Sequence, residues 1–321
     1  MYIKTGTIAR FLVLFLVCVI IFSSLTMFLD FSQQFPCRYK QPPKNQEIDF
    51  WNDVMSEIRN VSTLDTKLNE SKIYSYEGVE LNESHYYILS EVYGGKEIRI
   101  HVVVIKQINV SMAPCLLFVH GYGDNWLVFE EYLKFFARKG YVTIALDAPG
   151  ASGNSTDFPP DDPEYVVNTT DGPQYGYFYH VAYAVMRTIT FAETLDFVDR
   201  YRIIVGGVSM GGIMSLIVGA VDNRIHAVIP IVAAGNYMDS IFSGSFANGL
   251  VPKDTSLNSE RALNTMKYFD VYAYASKLDK PTLYVAATND EYFNLIAFND
   301  TFSAVSYTHL RAHETEADLV C

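Results

Sequence analysis

The sequence predicts an α/β protein built on a mostly parallel sheet with helices on both faces, preceded by one apolar N-terminal segment. Three observations predict it. Short apolar runs alternate with longer runs of helical period from about residue 116 to residue 287. The run Gly207-Val208-Ser209-Met210-Gly211 joins a strand-like stretch, 202–206, to a helix-like one, 212–218. A second glycine-bearing turn, His120-Gly121-Tyr122-Gly123, follows another apolar strand-like run, 115–119.

The elements follow in order. Residues 33–45 carry three prolines and read as a linker. A short helix is expected near 48–60, and the chain up to Gly78 is ambiguous. Residues 86–92 and 98–105 read as a β-hairpin turning at Gly94-Gly95. After it come strand 116–119, helix 128–138, strand 141–147, helix 181–197, strand 203–208, helix 211–221, strand 227–232 and strand 282–287. Two stretches interrupt the alternation: 151–179, with four prolines and an Asp-Asp pair, and 235–257, rich in Gly, Ser and Asn. The first reads equally as a site cover or a solvated connection; the second is expected to line a pocket, because it carries Phe242, Phe246 and Leu250. The chain therefore divides into a basic tail (1–10), an apolar segment (11–29), a linker and extension (30–80), the α/β domain (81–305) and a tail (306–321).

The Ser209 run has the pattern of a nucleophile at a sharp strand-to-helix turn. Glycines on both sides let backbones approach closely there. The helix that follows directs its first N–H groups at a developing oxyanion. A second N–H is expected from the turn after the early strand, so the candidate donors are the backbones of Met210 and Tyr122. The His120 side chain reads as a structural residue that fixes this loop. Asp290 follows strand 282–287 at its carboxyl end, where sites of open α/β sheets lie, and is placed to orient a histidine. Glu291 is the neighbouring alternative.

The order Ser, Asp, His requires a base after Asp290, and only His309 and His313 lie there. Residues 306–321, however, resemble translated sequencing-adapter read-through. On that reading the natural sequence is interrupted near 303–305, the base lies in sequence absent here, and a chain ending at Cys321 is inactive. His85, His101, His180 and His226 read as structural residues.

The net charge of −12, from 24 Lys and Arg against 36 Asp and Glu, argues against a nucleic-acid partner, and no basic stripe offsets it. The stretch 11–29, from Phe11 to Leu29, has no charge. At 1.5 Å per residue it spans about 28 Å, close to the hydrocarbon thickness of a bilayer. It reads as an uncleaved signal anchor, with a cleavable signal peptide as the rival, and the basic N-tail favours a domain outside the cytoplasm. Seven of 17 asparagines lie in N-x-[ST] sequons (Asn60, Asn69, Asn82, Asn109, Asn154, Asn168 and Asn299), where composition alone gives about two, which fits export. Of four cysteines, Cys18 lies in the apolar run and Cys321 in the tail; Cys115 reads as a core residue, and no disulfide framework can be drawn. Neither a metal-ligand spacing nor a phosphate-cradling loop occurs, so no cofactor is expected.

From about residue 86 to 303 the chain resembles the α/β-hydrolase superfamily, in particular its dienelactone hydrolase, acetyl xylan esterase and prolyl oligopeptidase-like branch. The resemblance rests on His120-Gly121-Tyr122-Gly123, Asp147-Ala148-Pro149-Gly150, Gly207-Val208-Ser209-Met210-Gly211-Gly212 and Thr288-Asn289-Asp290-Glu291-Tyr292-Phe293. It implies an α/β-hydrolase fold truncated at its C-terminus, and a serine hydrolase acting on a small-molecule or glycan ester through an acyl-enzyme on Ser209. A peptidase or acyltransferase of the same fold is the first alternative. A membrane-tethered binding protein without catalysis is the second.

Overall fold

The computed structural model describes residues 48–237, 260–287, 290 and 292–305. Along these the chain forms α1 (Trp51–Ile58), β1 (Lys67–Tyr76), β2 (Val79–Tyr93), β3 (Lys96–Gln107), β4 (Ala113–Val119), α2 (Glu130–Arg138), β5 (Val142–Leu146), a single helical turn (Pro163–Val166), α3 (Tyr177–Ala192), β6 (Val198–Val208), α4 (Met210–Val221), β7 (Ile225–Ile231), α5 (Glu260–Phe269), α6 (Val271–Lys277) and α7 (Leu295–Ala304). The seven strands make one sheet in the order β1-β2-β3-β5-β4-β6-β7. β1, β2 and β3 are antiparallel, β3 meets β5 antiparallel, and β5, β4, β6 and β7 run parallel.

Both faces of the central strands are buried, which is why those strands read as continuous apolar runs. In β4, Cys115, Leu117 and Val119 enter the larger core, while Leu116 and Phe118 enter a smaller core under α2 with Leu133 and Ala137. The Cys115 thiol is buried and unbridged, and burial pushes it up to about 12. Every residue of α3 is buried, so this helix is enclosed on all sides, and its apolar residues fill the centre of the larger core while His180 and Arg187 are buried with it.

The sheet begins earlier than the hairpin signal indicates. β1 lies almost wholly exposed, so it carries no alternation to read, and it is held by antiparallel pairing to β2. α1 belongs to the same core: the Trp51 ring stacks on Tyr179 at 5.1 Å, and its indole N–H donates to the Tyr274 hydroxyl at 3.1 Å. The expected strand 282–287 is reduced to two parallel bridges beside β7, Val228 with Thr282 and Ile231 with Val285. Leu283 donates to Val228 and Val285 to Pro230. The register calls for residue 230 to donate next, and proline has no N–H to give. Expected helix 181–197 starts at Tyr177 and ends at Ala192, and β6 starts at Val198, five residues before the apolar run. α5, α6 and α7 had no counterpart in the sequence reading. Among the described residues no helix is long and apolar enough to cross a membrane; the stretch 11–29, most of 235–257, Glu291 and the tail 306–321 lie outside them.

Arg187 of α3 ties the N-terminal elements to the core. It is 1 % exposed, and among the described residues no carboxylate forms an ion pair with it. Its guanidinium donates instead to the carbonyls of Ile58 and Asn60 at 2.9 Å, Leu89 at 3.1 Å and the Thr63 hydroxyl at 3.1 Å. The positive charge thus sits at the C-terminal end of α1, where the helix carbonyls lack partners. Arg187→Met leaves these buried acceptors unsatisfied and is expected to lower unfolding free energy by about 3–5 kcal/mol. Urea denaturation checks this; an unchanged midpoint contradicts it.

Candidate active site

The site follows from the strand order. The chain leaves β4 for β5 on one side, and β6 returns on the other, so their carboxyl ends border a crevice. Val119 and Gly207 are register partners at that edge. Ser209 lies between β6 and α4 with φ 54° and ψ −115°, left-handed backbone that a residue with a Cβ enters only under strain. Its N–H donates to Ile231 of β7 at 2.9 Å, and its carbonyl accepts from Ile213 at 3.0 Å. Its hydroxyl makes no helix-capping hydrogen bond. The neighbouring glycines are required by space: a Cβ on Gly211 would stand 1.9 Å from the Val119 carbonyl oxygen, and one on Gly207 2.5 Å from the same atom.

The His120–Asn125 loop lies against this turn. A Cβ on Gly121 would stand 3.8 Å from the Ser209 Cβ. Met210 opens α4 and is buried, and first-turn N–H groups have no intrahelical acceptor. His120 is wholly buried. Its Nε2 accepts from the Ala148 N–H at 2.9 Å, so the proton sits on Nδ1 and donates to the Gly121 carbonyl at 2.7 Å. Burial lowers its pKa, and it holds the loop as a neutral ring. Tyr122 is half-buried, and its hydroxyl donates to the Asp161 carbonyl.

Behind the loop stands a polar hub that the sequence did not reveal. Asp147, fully buried after β5, accepts from the N–H groups of Trp126 at 2.8 Å and Asn154 at 2.9 Å, and from His101 Nδ1 at 2.8 Å. His101 Nε2 meets His85 Nδ1 at 3.0 Å, and His85 Nε2 donates to Glu83 at 2.9 Å. Lys72 at 2.8 Å and Tyr74 at 2.9 Å complete the ring of donors around Glu83. The two facing ring nitrogens stand within hydrogen-bond distance of each other, and the outer ring nitrogens each face a carboxylate. Burial works to raise both carboxyls, but the donors outweigh it: Asp147 is lowered, and Glu83 is held at about 2. Two further histidines of the described residues stand elsewhere. His180 pairs with Glu91 at 2.9 Å in the interior, as expected of a structural residue, and His226 is exposed at the far end of β7, with no part in the core.

Asp290 follows the bridged segment beside β7. Its carboxylate accepts from Tyr292 N–H at 2.8 Å and Phe293 N–H at 2.9 Å, which fixes its direction. His309, His313 and Glu291 lie outside the described residues, and among the described residues no histidine is linked to Asp290 by a hydrogen bond. Asp161 was not singled out from sequence. Burial and the charge of Asp162 push its carboxyl up, against the opposing pull of the Gly123 N–H.

A strained serine at a strand-to-helix turn, set at the switch point of this sheet, defines an α/β-hydrolase fold. The acetyl xylan esterase (AXE1) family matches residues 25–239, more than half of the chain, and the protein belongs to that family. The PhoPQ-activated pathogenicity-related protein family matches residues 177–311. The chain is 24 % identical over 205 residues to the acetyl esterase Axe7A of Xylanibacter ruminicola, covering 60 % of this chain and 46 % of that protein, so it spans about half the length of that relative. Acetyl xylan esterase from Paenibacillus sp. R4 superposes with a TM-score of 0.68 at 21 % identity, over 83 % of this chain and 87 % of that one. Acetyl xylan esterase 1 from Thermoanaerobacterium sp. JW/SL YS485 gives 0.66 at 18 %, over 82 % and 86 %. At these identities the two structures share the fold.

Two outcomes follow from the geometry. Ser209→Gly relieves the left-handed strain and is expected to be more stable than Ser209→Ala by about 1 kcal/mol, read from urea midpoints; equal midpoints contradict the strain. The Glu83 carboxylate stabilises the fold fully above its ordinary value of 4.5, and that contribution is lost as pH falls from there through about 2. By linkage it is worth on the order of 3 kcal/mol. Glu83→Gln is expected to flatten the loss of stability across that acid window; an unchanged acid slope contradicts it.

Proposed function

We propose that the protein is a membrane-anchored serine hydrolase that cleaves carboxylic esters, an acetyl ester on a small molecule or glycan foremost, through an acyl-enzyme on Ser209. The observation that carries this is the Ser209 turn itself: a strained serine whose hydroxyl does not cap the helix it opens, with Gly121 so placed that a Cβ on it would touch the Ser209 Cβ. Membership of the acetyl xylan esterase family supports the choice of acyl group.

The chemistry proceeds in two halves. Ser209 Oγ attacks the ester carbonyl carbon while a histidine takes the Oγ proton. The carbonyl electron pair moves onto oxygen, where the N–H groups of Met210 and Tyr122 hold it. Collapse expels the alcohol, which receives the proton from the imidazolium. Water then gives a proton to the imidazole as it attacks the acyl-serine carbonyl, and collapse releases the acid while the imidazolium returns that proton to the departing Ser209 Oγ. Asp290 keeps the imidazole in the tautomer this requires. The histidine is supplied from outside the described residues, C-terminal to Asp290. The stretch 11–29 anchors the domain at the membrane on its extracytoplasmic side, and the exposed sequons Asn60, Asn69, Asn109, Asn154 and Asn168 fit that exposure to a glycosylating compartment.

The test uses the protein read from its gene to the natural stop codon, which also identifies the histidine. Short acyl esters are expected to turn over and aminoacyl amides not, with Ser209→Ala lowering kcat about 10⁴-fold or more and Asp290→Asn about 10²- to 10⁴-fold. Preferential amide cleavage makes the protein a peptidase. Failure to turn over any acyl substrate leaves the binding-protein reading in its place.

A further inference from the structure

The loop that carries Tyr122 has little stiffness of its own, because glycines flank the tyrosine on both sides and Gly123 sits at φ 77°. A donor that must meet an oxyanion within a few tenths of an ångström needs outside support. The connection between β5 and α3 supplies it. The Tyr122 hydroxyl donates to the main-chain carbonyl of Asp161, and the carboxylate of the same residue lies beside Gly123, where a Cβ would stand 4.0 Å from its Oδ2. Asn125 Nδ2 donates to the Ser152 carbonyl at 2.6 Å. Tyr177 stands edge-on to the Tyr122 ring at 6.0 Å, and its own hydroxyl donates to Pro149 at 3.0 Å. The connection is itself fixed. Asp162 caps the turn Pro163–Val166 by accepting from Tyr165 at 3.1 Å, and Thr169 pairs with Thr265 of α5 at 2.7 Å.

We propose that Asp161 is a positioning residue for the oxyanion hole: its main-chain carbonyl anchors the Tyr122 side chain and its carboxylate stands beside Gly123, so that the loop holds the Tyr122 N–H toward the carbonyl oxygen of an ester bound at Ser209. This rests on the ester-hydrolase reading above. It gives the 147–176 connection a role in transition-state stabilisation and leaves substrate binding to other residues. It also commits the Tyr122 hydroxyl to the clamp, so that the phenol takes no part in proton transfer.

The experiment is steady-state hydrolysis of 4-nitrophenyl acetate by the protein read from its gene to the natural stop codon and by its Ser209→Ala, Asp161→Ala, Asp161→Asn and Tyr122→Phe variants, each with its urea midpoint. Tyr122→Phe is expected to lose about 10- to 100-fold in kcat, with KM within about threefold and a midpoint close to wild type; Asp161→Ala, which keeps the main-chain carbonyl and removes only the carboxylate beside Gly123, is expected to show a smaller loss of the same kind. Asp161→Asn keeps the side-chain shape beside Gly123 and is expected to recover most of kcat. A structural role alone would lower the midpoint and spare this split. Should Asp161→Ala fail to fold, Tyr122→Phe, which lacks one hydroxyl, decides. Wild-type kcat in Tyr122→Phe, a loss confined to KM, or no rescue by Asp161→Asn overturns the clamp. Absence of Ser209-dependent turnover in the wild type overturns the esterase reading and the clamp with it.

Discussion

Three pieces of backbone meet at the ends of β4 and β6 with no side chain between them, and the rest of the site depends on that contact. The Val119 carbonyl lies where a Cβ on Gly211 or Gly207 would have to go. Only because both are glycine does α4 start close enough to the sheet for Ser209 to take its left-handed conformation at the crest of the turn. Substituting either glycine would push α4 off the sheet before any chemistry was touched. The strain at Ser209 is held by ordinary means: the bonds to Ile231 and from Ile213, and a helix whose first ten residues are buried.

Around that contact the protein spends buried polar groups on fixing loops, at a place where apolar packing would serve stability better. His120 is locked as one tautomer by Ala148 and Gly121, and Asp147 gathers the loop after β4 and the loop after β5 onto one carboxylate. Such groups are worthwhile only when every donor and acceptor is matched, and here the line from Asp147 through His101 and His85 to Glu83 is matched from end to end. Arg187 plays the same part at a distance, joining α1, the turn after it and β2 to the central helix. The N-terminal residues from Ile48 onward are therefore part of the body that supports the site.

What could be read from the sequence follows from what leaves a local pattern. The Ser209 turn and the His120–Gly123 loop are legible because close backbone approach admits little besides glycine, and because buried parallel strands write unbroken apolar runs beside them. β1 was illegible because an exposed strand held by pairing alone has no apolar alternation. The last strand was overread because its composition is right while Pro230 on the neighbouring strand interrupts the ladder. Asp147 was visible within the Asp-Ala-Pro-Gly run, but its role depends on Trp126, Asn154 and His101, which only the fold brings together. Asp161 lay in a proline-rich connection with no periodicity, where no sequence signal marks a residue that acts through its main-chain carbonyl. The base could not be placed by either route, since His309 and His313 lie outside the described residues.

The central claim is that Ser209 is an activated nucleophile, and fluorophosphonate labelling followed by peptide mapping tests it most directly. An unactivated serine hydroxyl does not react, so the adduct reports the base and the oxyanion donors together with the serine. The account expects one adduct per chain of the protein read to its natural stop, on the peptide containing Ser209. Wild-type protein that stays unlabelled, or that labels elsewhere, would contradict it.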